Sequence, residues 1–281
     1  MGPGLCEGRV ESRVKANPGS VRFSGARMPV ESIGRTFLDI SLILGGMLVM
    51  ILRTLRALFP PDIDRREFWR NLHWMGNRSV MIVAISSFFV GITMVVQATI
   101  YVEQLGAYSL VGWGSGYIVL RELGPVFVAL MFSGRVGSNN TAELGTMVVT
   151  EQIDALRALS INPYSFLILP RMISMILINV VLTVVGDAVA IAGAGIISDT
   201  LMGIDYHVFW RGIHDYIDLS DMWLGLGKSL AFGFIIAVSS CYYGLNVKGG
   251  APGVGRAVYA SVVSSAVGMF VADYIITFFW G

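Results

Sequence analysis

The sequence predicts an all-α, polytopic membrane protein, with an N-terminal interfacial helix followed by five transmembrane helices. Of its 281 residues, 54% are hydrophobic and 14% are charged, and the mean hydropathy is +0.68. Soluble domains carry about 25% charged residues, so this chain has too few charges to cover a surface in water. The composition excludes an ordinary soluble enzyme, a disordered protein and a secreted disulfide scaffold. Five apolar runs are long enough to cross a bilayer, which takes about 20 helical residues.

The N-terminal part of the chain differs in pattern from the rest. Residues 1–30 contain Gly, Arg and Ser without apolar periodicity, and they predict a flexible tail. Residues 31–78 predict interfacial and connecting helices, because the apolar run that starts at Phe37 contains Asp39 and is flanked by arginines. A membrane-crossing helix remains the alternative for this run. Residues 79–281 predict the transmembrane domain.

Basic residues in the short connections predict the orientation. The predicted spans are 79–102, 110–134, 166–197, 222–245 and 257–280. Lys and Arg concentrate before the first span and in the connections after the second and fourth. The other two connections hold Arg211 alone against six acids. By the positive-inside rule, the N-terminus is cytoplasmic and the C-terminus lies on the outer side.

Five ionisable side chains inside the predicted spans are candidates for function, because a charge there costs about 2.5–3.5 kcal/mol on insertion scales. They are Arg121, Glu122, Asp187, Lys228 and Asp273. Lys228 and Asp273 fall at similar depths and are placed to pair, whereas Arg121 and Glu122 are predicted nearer the midplane. Arg121 and Glu122 are about 100° apart around their helix and need not share one partner. Such residues line a polar cavity or, alternatively, form structural ion pairs.

Pro125 predicts a bend beside two of these charges. It removes the hydrogen bond to the carbonyl of Arg121 and kinks the helix. A freed carbonyl inside a membrane is tolerated only where protein or water satisfies it. The run LRELGP therefore predicts either a bend at a lined cavity or an ordinary packed kink.

The polar stretch between the second and third spans predicts cytoplasmic amphipathic helices. Its apolar residues recur at helical spacing, and Asn162-Pro163 ends them. The acids Glu143, Glu151 and Asp154 disfavour an anionic lipid surface and favour docking on a soluble protein. The chain shows no nucleotide-binding motif and no metal-ligand spacing, so we expect no metal, no cofactor and no nucleic-acid partner of its own.

The stretch LRELGPVFVALMFSGRVGSNNTAELGTMVVTEQIDALRALSINP resembles the signature of MlaE-type permeases. These are the membrane subunits of ABC lipid transporters that work with MCE-domain proteins. The resemblance runs from about Phe68 to the C-terminus, and its most specific part is 121–163. It implies an MlaE-like permease fold with an interfacial helix and five spans.

The resemblance also implies partners and site residues. It implies a homodimer in the cell inner membrane, a cytoplasmic ATPase that binds the ATP, a periplasmic MCE-domain protein and a phospholipid cargo. The coupling helix to the ATPase would be about 137–158, which contains Glu143, Glu151 and Asp154. The residues that match the polar positions of the lipid pocket are Arg121, Glu122, Lys228 and Asp273. Asp187 has no counterpart, so its role stays open.

A second class of function fits the same charges. A proton- or ion-coupled secondary transporter would use Glu122 and Asp273 as carriers and would need no ATPase. Such folds are commonly built from internal repeats. No convincing repeat relates the five predicted spans, which favours the ATP-driven permease.

Overall fold

The computed structural model of the protein describes residues 29–57, 65–105 and 109–280. Every element in these ranges is helical, which confirms the all-α prediction. The predicted tail, 1–30, lies outside the described residues except for the first two residues of α1. The α-helices are α1 (Pro29–Ala57), α2 (Arg65–Leu105), α3 (Ser109–Ile118), α4 (Gly124–Phe132), α5 (Ser138–Val149), α6 (Gln152–Ala158), α7 (Leu169–Thr200), α8 (Tyr206–Tyr216), α9 (Leu219–Leu245) and α10 (Gly250–Trp280).

Six helical segments in the described ranges are long and apolar enough to cross a membrane, judged by length and composition. Five of them overlap the five predicted spans, in agreement with a polytopic membrane protein. The sixth is Ile40–Ala57, within the helix that the sequence predicts at the interface. Its interfacial position stays a prediction. Two compact units divide the chain between Ile43 and Leu44, and α2 to α10 all belong to the second.

The helix that contains the first predicted span begins earlier than that span. Helix α2 runs without interruption for 41 residues, so the predicted boundary at 78/79 lies inside it. Residues 65–78 are therefore the first turns of the same helix and not a separate connecting helix. Arginines and aromatic residues in these turns lower the local hydropathy, but they do not interrupt the backbone hydrogen bonds.

Helices α2 and α7 form the most extensive helix pair in the second unit. Small residues let their backbones approach closely. A Cβ at Gly91 of α2 would lie 1.9 Å from the carbonyl oxygen of Ala190 in α7. A methyl group does not fit at that distance, so Gly91 is required by packing.

The helix that contains the second predicted span continues well past residue 134. Helices α3, α4 and α5 are joined by π-helical turns at Val119–Leu123 and Ser133–Gly137, so the helical path is continuous from Ser109 to Val149. Asn140, Thr141 and Leu144 are buried where α5 packs against α9 and α10. The sequence predicts amphipathic helices in this stretch, and α5 and α6 are two helices there. The correction is that α5 continues the helix of the second predicted span and is partly buried.

The physical reason for this correction is cross-helix hydrogen bonding. The Thr141 hydroxyl lies 3.2 Å from the carbonyl oxygen of Ser240 and 3.0 Å from the hydroxyl of Ser261. Polar side chains that bond across helices are compatible with burial in a membrane bundle. The helix ends at a turn in which Glu151 adopts φ +60°. The short helix α6 follows this turn, before the chain enters the helix of the third predicted span.

Substituting Gly91 with Ala tests the α2–α7 contact. We expect Gly91→Ala to lower the free energy of unfolding by about 1–3 kcal/mol, because the new methyl group forces two backbones apart. Gly114→Ala is the matched control, since nothing lies within 4 Å of a Cβ there. The control should be neutral or stabilising by up to about 1 kcal/mol. Thermal unfolding in detergent measures both, and equal effects would contradict the packing assignment.

Candidate functional site

Three helical segments place charged side chains around one buried ammonium group. Lys228 of α9 has no exposed surface, and its Nζ lies 3.0 Å from Oδ1 of Asp273 in α10. This confirms that Lys228 and Asp273 pair. Lys228 also forms an ion pair with Glu122, which belongs to the first π-helical turn. We call these three residues the charge triad.

The triad is closed at its centre and open at its rim. The side chain of Lys228 is 0% exposed, whereas that of Glu122 is 32% exposed and that of Asp273 is 22% exposed. The Thr277 hydroxyl, one turn beyond Asp273 in α10, donates to Glu122 at 3.4 Å. Anything that approaches from outside therefore meets the two carboxylates before it meets the ammonium group.

Arg121 turns away from the triad, in agreement with the angle predicted between it and Glu122. Its guanidinium lies 3.2 Å from Oδ1 of Asp221 at the start of α9 and 5.2 Å from the centre of the Tyr117 ring. The other oxygen of Asp221 accepts a hydrogen bond from the backbone N–H of Asp218 at 3.2 Å. Arg121 thus holds the beginning of α9 in place. The sequence predicts Asp221 in the connection before this helix, so its role as the partner of Arg121 was missed.

Three of the four predicted pocket residues, Glu122, Lys228 and Asp273, meet in the triad, and Arg121 has a separate partner. The sequence predicts Arg121 and Glu122 near the midplane and Lys228 with Asp273 closer to the outer side. Helix α9 begins at Leu219, earlier than predicted, so Lys228 lies deeper below its helix start and its ammonium group reaches Glu122.

The predicted bend at Pro125 is a π-helical turn. Residues Val119–Leu123 form this turn, and the N–H of Gly124 donates to the carbonyl of Val119. The carbonyl oxygen of Leu120 contacts Gly225 of α9 so closely that a Cβ there would lie 2.1 Å away. Single π-turns inside α-helices are frequent at functional sites because they redirect side chains. Here the turn directs Arg121 and Glu122 to different partners.

Asp187 of α7 does not join the triad. It is buried, and a Cβ at Gly124 would lie 1.8 Å from its Oδ1. That oxygen has no hydrogen-bond partner among the described residues. Asp187 therefore packs directly behind the π-turn, which gives this residue a position in the site that the sequence left open.

A hydrogen-bonded group next to Lys228 fixes α9 against α7. The side-chain amide of Asn179 donates to the carbonyl oxygen of Ser229 at 2.8 Å. The hydroxyls of Thr183 and Ser229 are also 2.8 Å apart. Because Ser229 follows Lys228 directly, these bonds hold the triad's central residue at a fixed height in the bundle.

A second buried cation was missed by sequence reasoning. Arg171 of α7 is almost fully buried, 2.8 Å from Oε1 of Glu143 and 3.1 Å from Oδ1 of Asn140. Asn140 in turn donates to Ser240 of α9 at 2.9 Å. The available signal was an arginine inside the apolar run that forms the third predicted span. Glu143, predicted to face the ATPase, thus has an intramolecular partner.

The other two predicted coupling residues lie at the turn and on α6. Asp154 is exposed and pairs with Arg157 at 2.9 Å, while Glu151 occupies the left-handed turn. Just beyond α6, Leu159 is 71% exposed. A groove of about 460 Å³ lies beside this surface, with Ile153 at its base. Its lining is mixed: apolar residues such as Leu156 and Leu159 alternate with the polar residues Glu67, Arg70, Gln152 and Arg171.

Comparisons with known proteins agree with this architecture. The sequence profile described as Permease MlaE matches residues 68–279. A probable ABC transporter permease protein of Rickettsia conorii is 32% identical over 246 residues, covering 88% of this chain and 95% of that protein. One from Synechocystis is 36% identical over 215 residues, covering 76% and 82%.

A plant protein is also similar. Protein trigalactosyldiacylglycerol 1, chloroplastic, of Arabidopsis thaliana is 36% identical over 216 residues, covering 75% of this chain and 62% of that protein. The fold and the comparisons define a multi-pass membrane permease of the ABC transporter class. The chain belongs to the MlaE permease family.

Removing the positive charge at the centre of the triad tests how much the triad contributes to the stability of the protein. We expect Lys228→Met to lower the free energy of unfolding by about 3–5 kcal/mol, because it leaves two carboxylates without their cation. The exposed Lys248→Met is the control and should change little. Adding Glu122→Gln and Asp273→Asn to Lys228→Met should restore most of the loss. Thermal unfolding in detergent is the measurement, and equal stability of the two single variants would contradict the assignment.

Proposed function

We propose that this permease is the membrane subunit of an ATP-driven transporter that moves phospholipid between the inner membrane and the outer envelope. The ATP is bound and hydrolysed by a separate cytoplasmic ATPase. The observation that carries the proposal is the charge triad, in which a fully buried lysine is bridged by two partly exposed carboxylates. The Arabidopsis relative, whose name contains that of a galactosylated diacylglycerol, supports a lipid cargo.

The chemistry of a phospholipid suits this arrangement. Its phosphate requires cations, and its two acyl chains require apolar walls. Arg121 and Lys228 supply two positive charges, but each is paired with carboxylates in this structure. A phosphate reaches Lys228 only by displacing Glu122 or Asp273. Lipid binding is therefore coupled to movement of the π-turn or α10, because a ligand shifts an equilibrium by its differential affinity for the two states.

We place the second copy of the permease against α10. This helix is the least buried of the candidate spans and α9 is the most buried. Large apolar side chains of α10 are exposed along its length, including Tyr259, Val267 and Phe278. Asp273 belongs to the same helix, so a homodimer formed here would enclose the rims of two triads and create a cavity with apolar walls.

We assign ATPase docking to α6 and the turn before it. This surface combines the acids Glu151 and Asp154 with the exposed Leu159, beside a groove of mixed polar and apolar lining. Force applied at α6 passes through the turn at Glu151 into α5, and from there along the continuous helical path toward Glu122. Glu143 contributes by holding α5 to Arg171 rather than by contacting the motor.

The remaining assignments follow the distribution of Lys and Arg. We place the N-terminus in the cytoplasm and the C-terminus in the periplasm, where an MCE-domain protein would receive or deliver the lipid. Helix α8 would then lie on the periplasmic side, with Tyr206 and Tyr216 exposed. This arrangement puts the motor and the lipid-accepting partner on opposite sides of the membrane.

Charge reversal on α6 tests the docking assignment. We expect Asp154→Lys combined with Leu159→Ser to weaken binding of the purified ATPase by about tenfold or more, since exposed interface anchors commonly contribute about 2 kcal/mol. Asp215→Lys is the matched control, because Asp215 is exposed on α8 at the other end of the bundle. Co-purification and ATP hydrolysis measure the effect. Equal binding by both variants would contradict α6 as the docking surface.

Lipid transfer from reconstituted complexes tests the triad. We expect Glu122→Gln to slow ATP-dependent phospholipid transfer about tenfold, because a phosphate that no longer competes with the Glu122 carboxylate stays on Lys228 and is released slowly; a tenfold change corresponds to about 1.4 kcal/mol. Asp199→Asn is the control, because it makes a similar acid-to-amide change at an exposed position outside the triad. This variant should transfer lipid at the normal rate. Transport driven by a proton gradient without the ATPase would instead support the secondary transporter.

A further inference from the structure

A basic recess lies between α2 and the second π-helical turn, away from the charge triad. It has a volume of about 140 Å³. Its walls include the guanidinium groups of Arg78 and Arg135, the indole of Trp74, and the apolar side chains of Met75 and Val136. Arg135 is 14 residues beyond Arg121 along a continuous helical path, which is about 21 Å at 1.5 Å per residue. The recess is therefore separate from the proposed transport site.

The two arginines of the recess carry uncompensated charge. Among the residues that the structure describes, neither Arg78 nor Arg135 forms an ion pair with a carboxylate, and no acid lines the recess. The guanidinium of Arg78 lies 4.9 Å from the centre of the Trp74 ring, which orients it by a cation–π contact. An adjoining groove contains Glu143, but its carboxylate is occupied by Arg171.

The recess lies at the level of lipid headgroups. Arg78 directly precedes the uncharged run 79–102, and Arg135 directly follows the apolar run 110–134. Both therefore mark the same end of neighbouring spans, which the positive-inside rule assigns to the cytoplasmic leaflet. Tryptophan is enriched at this depth, and basic pockets between spans on this side attract anionic headgroups.

We propose that this recess binds the phosphate of an anionic phospholipid from the adjacent leaflet. The two guanidinium groups are able to hold phosphate oxygens through paired N–H donors. Met75 and Val136, each 3% exposed, close the apolar inner wall of the recess. The bound lipid joins α2 to the second π-helical turn, which connects α4 to α5. It is a resident lipid, and its binding does not depend on what the permease transports.

Native mass spectrometry of the full-length protein with added phosphatidylglycerol tests the proposal. We expect Arg78→Gln with Arg135→Gln to lower the affinity for one lipid per subunit by about tenfold or more, since each lost bond involves two charged groups. Arg211→Gln is the control, because Arg211 is exposed on α8. Arg78→Lys with Arg135→Lys should retain part of the affinity, because the positive charges remain while the paired N–H donors of the planar guanidinium groups are lost.

Three results would overturn the proposal. The first is equal retention of phosphatidylglycerol by the wild type and the double glutamine variant, once thermal melting has shown that both proteins are folded. The second is equal retention of phosphatidylcholine and phosphatidylglycerol by the wild type. The third is displacement of the lipid by millimolar inorganic phosphate, which would identify a soluble phosphate as the ligand. Continued lipid binding in inorganic phosphate supports the headgroup assignment.

Discussion

The cost of placing charge in hydrocarbon determines the architecture of this permease. A lysine with no exposed surface is stable in a bundle only if carboxylates reach it. Glu122 and Asp273 do so from two other helices, and this fixes α9, α10 and the first π-turn relative to one another. The same rule explains Arg171, which is buried and held by Asn140 and Glu143.

The π-turn is what makes the pairing geometrically possible. Arg121 and Glu122 are neighbours in sequence, yet one reaches Asp221 and the other reaches Lys228. Pro125 and the close contact between Leu120 and Gly225 favour an irregular turn at this point. A π-turn is a locally adjustable element, so the segment that carries Glu122 is also the one best able to move when a ligand competes for Lys228.

Sequence reasoning reached the fold class and part of the site. Helical rise gave the depths that paired Lys228 with Asp273, and helical angle separated Arg121 from Glu122. Sequence reasoning did not predict that polar residues within 137–149 are buried, because hydropathy does not distinguish polar residues bonded across helices from polar residues in water. It also missed Asp221 and Arg171, since their partners are about 100 and 30 residues away in sequence, a distance that local patterns do not record.

We propose that a lipid phosphate competes with carboxylates for Lys228. A structure of the permease with its ATPase and bound phospholipid tests this proposal. We expect a phosphate within hydrogen-bonding distance of Lys228 or Arg121, with Lys228 separated from Glu122 or Asp273. A lipid bound elsewhere, while Lys228 keeps its contacts with both Glu122 and Asp273, would contradict this proposal.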